Sequence, residues 1–355
     1  MRILLCGGGT AGHVWPIILI GRSLVKNKRA QILYVGSRQG IERQMLKDQP
    51  IPSKFILAGK RRSYFSFSNI WDIFKTFIGI IQAFFIISFF RPEVIFAKGG
   101  YVTFPIIFWL NFFKIPLVIH ESDTVIGRAN MLATKKAAKI CLGFPIENYK
   151  ENLSLDKLVY TGIPVSADFL QTPIKMGSRL KLLITGGSQG ASKINNCIAQ
   201  ILPELLQKYD VFHVAGKNDY EILKKSDSAK EATYHLFDFT DQMPRLMRDA
   251  DLIISRAGAS TLAEISATAK PAIIIPLKIA AAEHQSANAE IYQKNNAAVV
   301  LSEENLTPTS LLSIIENLMA DESLRKLIGH HARAFFQKEA ANEIIDQIFM
   351  AVKNK

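Results

Sequence analysis

Cysteine is scarce: three residues, Cys6, Cys141 and Cys197, in a chain of 355. Their odd number and wide spacing exclude a disulfide framework and a cysteine-based metal site, and point to buried thiols in a reducing compartment. Charge is also sparse at 21% of residues against 48% hydrophobic, a balance that excludes a largely disordered chain and leaves apolar surface beyond what a core needs. No apolar run reaches the ~20 residues of a membrane-spanning helix. The longest, residues 76–90, lies between Lys75 and Arg91 and is broken by Gly79, Gln82 and Ser88, so it is expected to be a buried helix or one lying in a membrane interface. A cleavable leader is not expected either, because Arg2 to Cys6 is too short an apolar stretch before the glycines begin. No Gly-Lys-Ser/Thr follows a glycine loop at Walker spacing, no His/Cys/Asp grouping resembles a metal site, and no nucleic-acid motif is present. Neither a catalytic metal nor another cofactor is expected, and nucleic acid is not an expected partner.

What is abundant is positive charge. A formal net charge of +12 and a pI near 9.5 imply an anionic partner, which leaves an acidic membrane or a phosphorylated substrate. The length suits two domains of similar size with a cleft between them, since single cores stop growing before ~300 residues. Residues 1–165 and 166–338 are the expected domains, the linker falling where Gly162, Pro164 and Gly177 interrupt periodicity, and a helix near residues 339–352 is expected to cross back to the first.

A single scheme repeats along the chain: apolar strand, glycine or polar turn, helix. Residues 2–6 run into Gly7-Gly8-Gly9-Thr10-Ala11-Gly12-His13, with a helix expected from Pro16 to about residue 25. Residues 31–35 form the next strand, residues 94–97 lead into Gly99-Gly100-Tyr101, and residues 117–119 into His120-Glu121-Ser122-Asp123. The second half restarts with residues 180–185 running into Gly186 to Ala191 and a helix to about Tyr209, then residues 252–254 before Arg256, and residues 272–275 before Pro276. Such alternation means parallel, helix-covered sheets, whose ligands bind beyond the carboxyl ends of the strands.

Glycines there let backbone approach a ligand, and the following helix offers N–H groups and a positive dipole end to phosphate. Taken singly each loop also fits an ordinary tight turn. His13, at a helix N-terminus, is held towards the neutral form and suits a base that takes a proton from an acceptor hydroxyl; it also suits a ring that caps its own loop. Glu264 lies one turn into the helix opened by Ala259-Ser260-Thr261, where it could grip ribose hydroxyls or only offset the dipole. Gln285 is similarly ambiguous. Lys60, Arg61 and Arg62, followed by Tyr64, Phe65, Phe67, Ile70, Trp71, Ile73 and Phe74, and the apolar residues 104–113, suit an anionic bilayer or an unusually aromatic core.

Gly8-Gly9-Thr10-Ala11-Gly12-His13-Val14-Trp15-Pro16 resembles the first glycine loop of the MurG family of N-acetylglucosaminyltransferases, with Ala11 where a glycine is usual. Gly99 to Val102 and His120-Glu121 resemble its acceptor-side segments, Gly186 to Ala191 its second-domain loop, and Arg256-Ala257-Gly258-Ala259-Ser260-Thr261-Leu262-Ala263-Glu264 its nucleotide-sugar segment, the similarity running in order over nearly the whole chain. The resemblance implies a GT-B α/β fold with two Rossmann-like domains facing a cleft, and inverting, metal-independent transfer of N-acetylglucosamine from UDP-N-acetylglucosamine to undecaprenyl-pyrophosphoryl-muramyl-pentapeptide in peptidoglycan synthesis. It further implies a peripheral protein on the cytoplasmic face of the inner membrane, bound to its anionic surface. His13 would be the base. Donor contacts would come from Thr10, Ala11, Gly12, Ser188, Gln189, Gly190, Thr240 beside Phe239, residues 256 and 258–264, and Gln285; acceptor contacts from Tyr101, His120, Glu121 and Asp123. The chain departs from the pattern at Ser122-Asp123, at Ser166 where arginine is common, and at His284 where a second glutamine is usual. Another GT-B glycolipid transferase, a UDP-sugar epimerase, or a non-catalytic nucleotide-binding membrane protein are the competing readings.

Overall fold

The computed structural model describes residues 1–26, 30–59, 68–149, 153–172, 177–187, 191–277 and 283–353. They form two compact units, Met1–Pro164 with Gln337–Lys355, and Val165–Phe336.

In the first unit seven strands, β1 (Arg2–Cys6), β2 (Gln31–Ser37), β3 (Ser53–Ile56), β4 (Val94–Ala97), β5 (Leu117–Glu121), β6 (Ala137–Leu142) and β7 (Leu158–Tyr160), form a parallel sheet in the order β3-β2-β1-β4-β5-β6-β7. Its strands read as continuous apolar runs because both faces are covered. Alternate side chains serve opposite faces. Leu4 and Cys6 pack with Ala83, Ile87, Val102 and Ile106 on one side, while Ile3 and Leu5 pack with Ile17, Leu24, Ile344 and Ile348 on the other. The last two belong to the helix Ala340–Lys353, so the chain's end completes the first unit's core.

The second unit holds β8 (Leu180–Thr185), β9 (Tyr209–Val214), β10 (Tyr234–Phe237), β11 (Leu252–Ser255), β12 (Ala272–Ile274) and β13 (Val299–Val300) in the order β10-β9-β8-β11-β12-β13, again all parallel. Each sheet reverses its winding once, between β1 and β4 and between β8 and β11. In open parallel sheets such a reversal opens a crevice at the strands' carboxyl ends, and the glycine loops emerge there.

Two helices differ from expectation. The first runs Ala11–Lys26 rather than from Pro16; a proline in the second turn removes one hydrogen bond and leaves the first turn intact, so His13 lies inside that turn. The second runs Ser68–Phe90 and contains a 20-residue window, Trp71–Phe90, long and apolar enough by composition to cross a membrane, where the sequence alone suggested a shorter run. Its polar side chains nevertheless tie it to the sheet edge: Gln82 Oε1 accepts from Leu57 N at 2.8 Å and Thr76 Oγ1 from Gly59 N at 3.2 Å, while Trp109 Nε1 donates to the Ile80 carbonyl at 2.8 Å. Ala83, Ile86 and Ile87 are buried against the core. The helix is thus one layer of the first unit with its outer face uncovered.

Candidate functional site

In the first unit, the loop after β1 and the loop after β4 interlock. Gly8 N donates to the Gly99 carbonyl at 3.3 Å, and a Cβ on Gly100, which has a φ of +85°, would collide with the Gly8 carbonyl. Gly9, at a φ of +97°, packs against the Tyr101 ring, and Tyr101 Oη donates to Ser37 Oγ at 3.2 Å. Beneath them lies Glu42, fully buried, whose carboxylate accepts from Ser37 N at 2.8 Å and from Gly9 N at 3.3 Å. Side chains on Gly8, Gly36 or Gly40 would collide with it. Sequence reading missed Glu42; the spacing of those glycines around it was the available signal.

His13 emerges from this loop, with Nδ1 3.1 Å from Thr10 Oγ1. Either partner can donate in this contact; with Nδ1–H as the donor, the lone pair would lie on Nε2. Thr10, Ala11 and Gly12 are all partly exposed around it.

At the ends of β4 and β5 the acceptor-side candidates divide. His120 is buried and donates Nε2–H to the Gly162 carbonyl at 2.8 Å; burial, then the charge of Lys98, hold it well below the usual histidine range. Glu121 is buried too, with Oε1 accepting from Asp123 N at 3.1 Å and Oε2 from Gly127 N and Asn130 Nδ2 at 2.9 Å each. Burial raises its carboxyl, opposed by Lys98. These two shape the turn, while Tyr101 and Asp123 keep partial exposure and can meet a ligand.

In the second unit, the helix Ala259–Thr268 starts at Gly258 with no side-chain cap, so the amides of its first turn, including Ala259, Ser260 and Thr261, are available to an anion. Leu262 is buried and anchors that turn, while Ala263 is half-buried. Arg256 is committed elsewhere, Nη2 donating to Glu303 Oε1 at 2.6 Å and Nη1 to the Ile275 carbonyl at 3.1 Å. Burial opposes ionisation of Glu303, but its bonds to Arg256 and Lys193 outweigh that and hold the carboxyl below the usual range. Arg256 therefore braces the loop. Gln285 Oε1 accepts from Leu277 N at 3.1 Å and Asn288 Nδ2 donates to the Ala257 carbonyl at 3.2 Å, two further braces. Thr240 Oγ1 accepts from Gln242 N at 3.0 Å beside the exposed Phe239. Ser166 Oγ donates to Asp168 Oδ2 at 2.8 Å, and the cation meeting this segment is Arg248, which donates to Gln171 Oε1 at 2.9 Å. Ser188, Gln189 and Gly190 lie outside the described residues.

Glu264 is the outlier. It lies in the second turn of that helix, where side chains lean towards the N-terminus, and among the described residues its carboxyl accepts no hydrogen bond. Part of the residue stays solvent-exposed, yet the carboxyl group is deep enough that burial pushes it up to about 8. A partly exposed carboxyl with no internal donor is open to a ligand that brings hydroxyls. Among the described residues no group of His, Cys, Asp or Glu could hold a metal ion.

The glycosyltransferase family 28 N-terminal domain matches residues 3–142, and the family's C-terminal domain matches residues 181–348. The UDP-N-acetylglucosamine–N-acetylmuramyl-(pentapeptide) pyrophosphoryl-undecaprenol N-acetylglucosamine transferase 2 of Bacillus cereus is 37% identical over 98% of this chain and 99% of its own length. The crystal structure of Acinetobacter baumannii MurG superposes with a TM-score of 0.78 at 26% identity, covering 98% of this chain and 99% of that one. A UDP-GlcNAc 2-epimerase from Neisseria meningitidis, with a TM-score of 0.71 at 14% identity over 99% of this chain and 100% of that one, shares the fold alone.

The raised carboxyl of Glu264 has a thermodynamic sign. Between 4.5 and about 8 the folded protein keeps a proton that the unfolded chain has released, so stability falls as pH rises through that window. Glu264→Gln removes the titration: denaturant midpoints of the two proteins should diverge in the variant's favour as pH rises across it, whereas parallel curves would show that the carboxyl is not desolvated.

Proposed function

The chain belongs to glycosyltransferase family 28, and from that premise we propose that it transfers N-acetylglucosamine from UDP-N-acetylglucosamine to undecaprenyl-pyrophosphoryl-muramyl-pentapeptide, with inversion at the anomeric carbon. It is a UDP-N-acetylglucosamine-dependent glycosyltransferase of peptidoglycan synthesis with a GT-B fold. The observation that carries this reading is identity of 37% maintained over 98% of the chain with a transferase so named, both sheet units included.

His13 Nε2 takes the proton of the acceptor hydroxyl as its oxygen attacks the anomeric carbon; the bond from that carbon to the β-phosphate oxygen breaks and its electron pair leaves with UDP. The uncapped turn at Gly258, Ala259, Ser260 and Thr261, held by Leu262 and braced by Arg256, meets the growing diphosphate charge, as does the loop holding Ser188, Gln189 and Gly190. The Glu264 carboxyl meets the ribose hydroxyls. Thr240 stands by the uracil, Gln285 offers its amide N–H to the sugar, and Thr10, Ala11 and Gly12 line the donor from the base's side. Asp123 and Tyr101 face the acceptor, on the turn that His120 and Glu121 hold in place.

The partner that brings this acceptor is the anionic cytoplasmic face of the plasma membrane, and the protein sits on it peripherally. The supporting surface is the outer face of Ser68–Phe90: Trp71, Phe74, Phe77, Ile81, Phe85 and Phe89 follow one another at helical spacing, and Phe89 is 79% exposed. Phe108 and the 68%-exposed Phe112 extend it. A continuous apolar patch of this kind on a cationic protein suits a bilayer interface. Lys60, Arg61, Arg62, Tyr64, Phe65 and Phe67 lie outside the described residues.

Labelled UDP-N-acetylglucosamine should give product only when a lipid-linked muramyl acceptor is present; product from the nucleotide sugar alone would favour an epimerase. In the same assay His13→Ala should cut turnover by ~10²–10⁴-fold with donor affinity nearly unchanged, and retained turnover would remove His13 from the base role. Replacing Phe77 and Phe89 by aspartate should weaken vesicle binding at least ~10-fold, each buried phenylalanine contributing ~1.5–3 kcal/mol, with turnover of a soluble acceptor analogue preserved. Undiminished vesicle binding would mean that the patch serves another purpose.

A further inference from the structure

We propose that Lys98 is a positioning residue for the acceptor: through Ser122 it fixes the turn of residues 121–127 that presents the Asp123 carboxylate to hydroxyl and amide donors of the acceptor sugar. The proposal rests on the acceptor-side reading of Asp123 above.

Lys98 follows β4 and is 1% exposed. An ammonium so placed has lost its water, and lysines are almost never fully buried unless paired. Its Nζ donates to Ser122 Oγ at 2.6 Å. Burial holds its ammonium below the usual lysine range, and the carboxylates of Glu121 and Asp123 oppose that and favour the protonated form. Ser122 is itself buried, and it stands where the chain departs from the family pattern. That departure now has a physical partner, since a short hydroxyl fits the closed space and accepts from the ammonium.

Glu121 secures the turn from the other side, through the backbone N–H groups of Asp123 and Gly127. Asp123 thus sits between two anchors, its backbone bound to Glu121 and its neighbour's side chain bound to Lys98. The ammonium offsets the charge of the two neighbouring carboxylates of Glu121 and Asp123. The surroundings are already rich in acceptors: among the described residues His120 Nδ1 and Asn130 Oδ1 are buried and lack a hydrogen-bond partner. Gly7, which follows β1, leaves room for the Lys98 stem, because a Cβ there would lie 3.1 Å from that of Lys98. The lysine therefore links the β1 loop carrying His13 to the turn carrying Asp123.

The test is steady-state kinetics on full-length enzyme with a short-chain lipid-linked muramyl acceptor in detergent. Lys98→Met keeps the apolar stem, and Ser122→Ala cuts the same bond with almost no change of volume, so the second variant decides the matter if the first does not fold. Each should raise the acceptor KM, Lys98→Met by ~10–100-fold as for a lost bond to a charged group, with donor KM within about twofold. The double variant should be no worse than Lys98→Met alone, because both remove one link. An unchanged acceptor KM in a folded variant, an equal rise in donor KM, or multiplied effects in the double variant would overturn the proposal. Asp123→Ala separates the layers: if it leaves acceptor KM unmoved, the acceptor-side reading fails and takes this proposal with it; if it raises KM while the Lys98 and Ser122 variants do not, the role of Lys98 alone fails.

Discussion

The first unit's chemistry depends on one buried carboxylate. Glu42 holds the amides of Gly9 and Ser37, and through them the loop from which His13 projects and the strand end on which Tyr101 rests. Glycine at positions 8 and 40 is the consequence, since a side chain at either would occupy the space of that carboxylate, and one at Gly36 would meet the Glu42 stem and the Tyr34 ring. A charge-assisted bond to a backbone N–H is roughly twice as strong as a neutral one, and in a dry interior it cannot be exchanged for water. These bonds hold the loop in place without a ligand, which is what the proposed base role of His13 calls for.

The second unit applies the same logic with other residues. Glu303 binds both Arg256 and Lys193, tying the loop after β11 to the helix Ser192–Lys208. Asp219 accepts from Ser192 and Asn195, and Asn195 in turn meets His213, whose ring burial lowers to about 4. Buried charges and amides brace the loops, leaving the amides of the Gly258 turn and the carboxyl of Glu264 for a ligand. Arg256, with one bond from each of its Nη atoms to the Ile275 carbonyl and Glu303, braces the backbone of its loop.

Much of the architecture was legible because it follows from local pattern. Apolar runs ended by glycine clusters located the strands with their carboxyl-end loops, and the resemblance placed His13 and residues 256–264 in order. What escaped was non-local. Glu42 reads as an ordinary acid in a short polar helix, and only its distance partners show that it is buried; Lys98 reads as a strand-end charge, though its ammonium is enclosed. Pro16 suggested a helix start because proline favours the first turn, but Gly12 and Ala11 continue the helix backwards. The Ser68–Phe90 helix was underestimated because the charge of Lys75 bounded the apolar run, whereas Lys75 lies inside the helix and pairs there with the buried Asp72.

The dependence on Glu42 is open to one direct measurement. Glu42→Gln keeps the shape but turns an amide N–H₂ towards one of the two backbone N–H groups, so the loop must give. Turnover with lipid-linked muramyl acceptor should fall ~10–100-fold, as for a misplacement on the order of 1 Å, while binding of UDP, assigned above to the second unit by proposal, stays unchanged. Wild-type turnover in a fully folded Glu42→Gln protein would contradict the account.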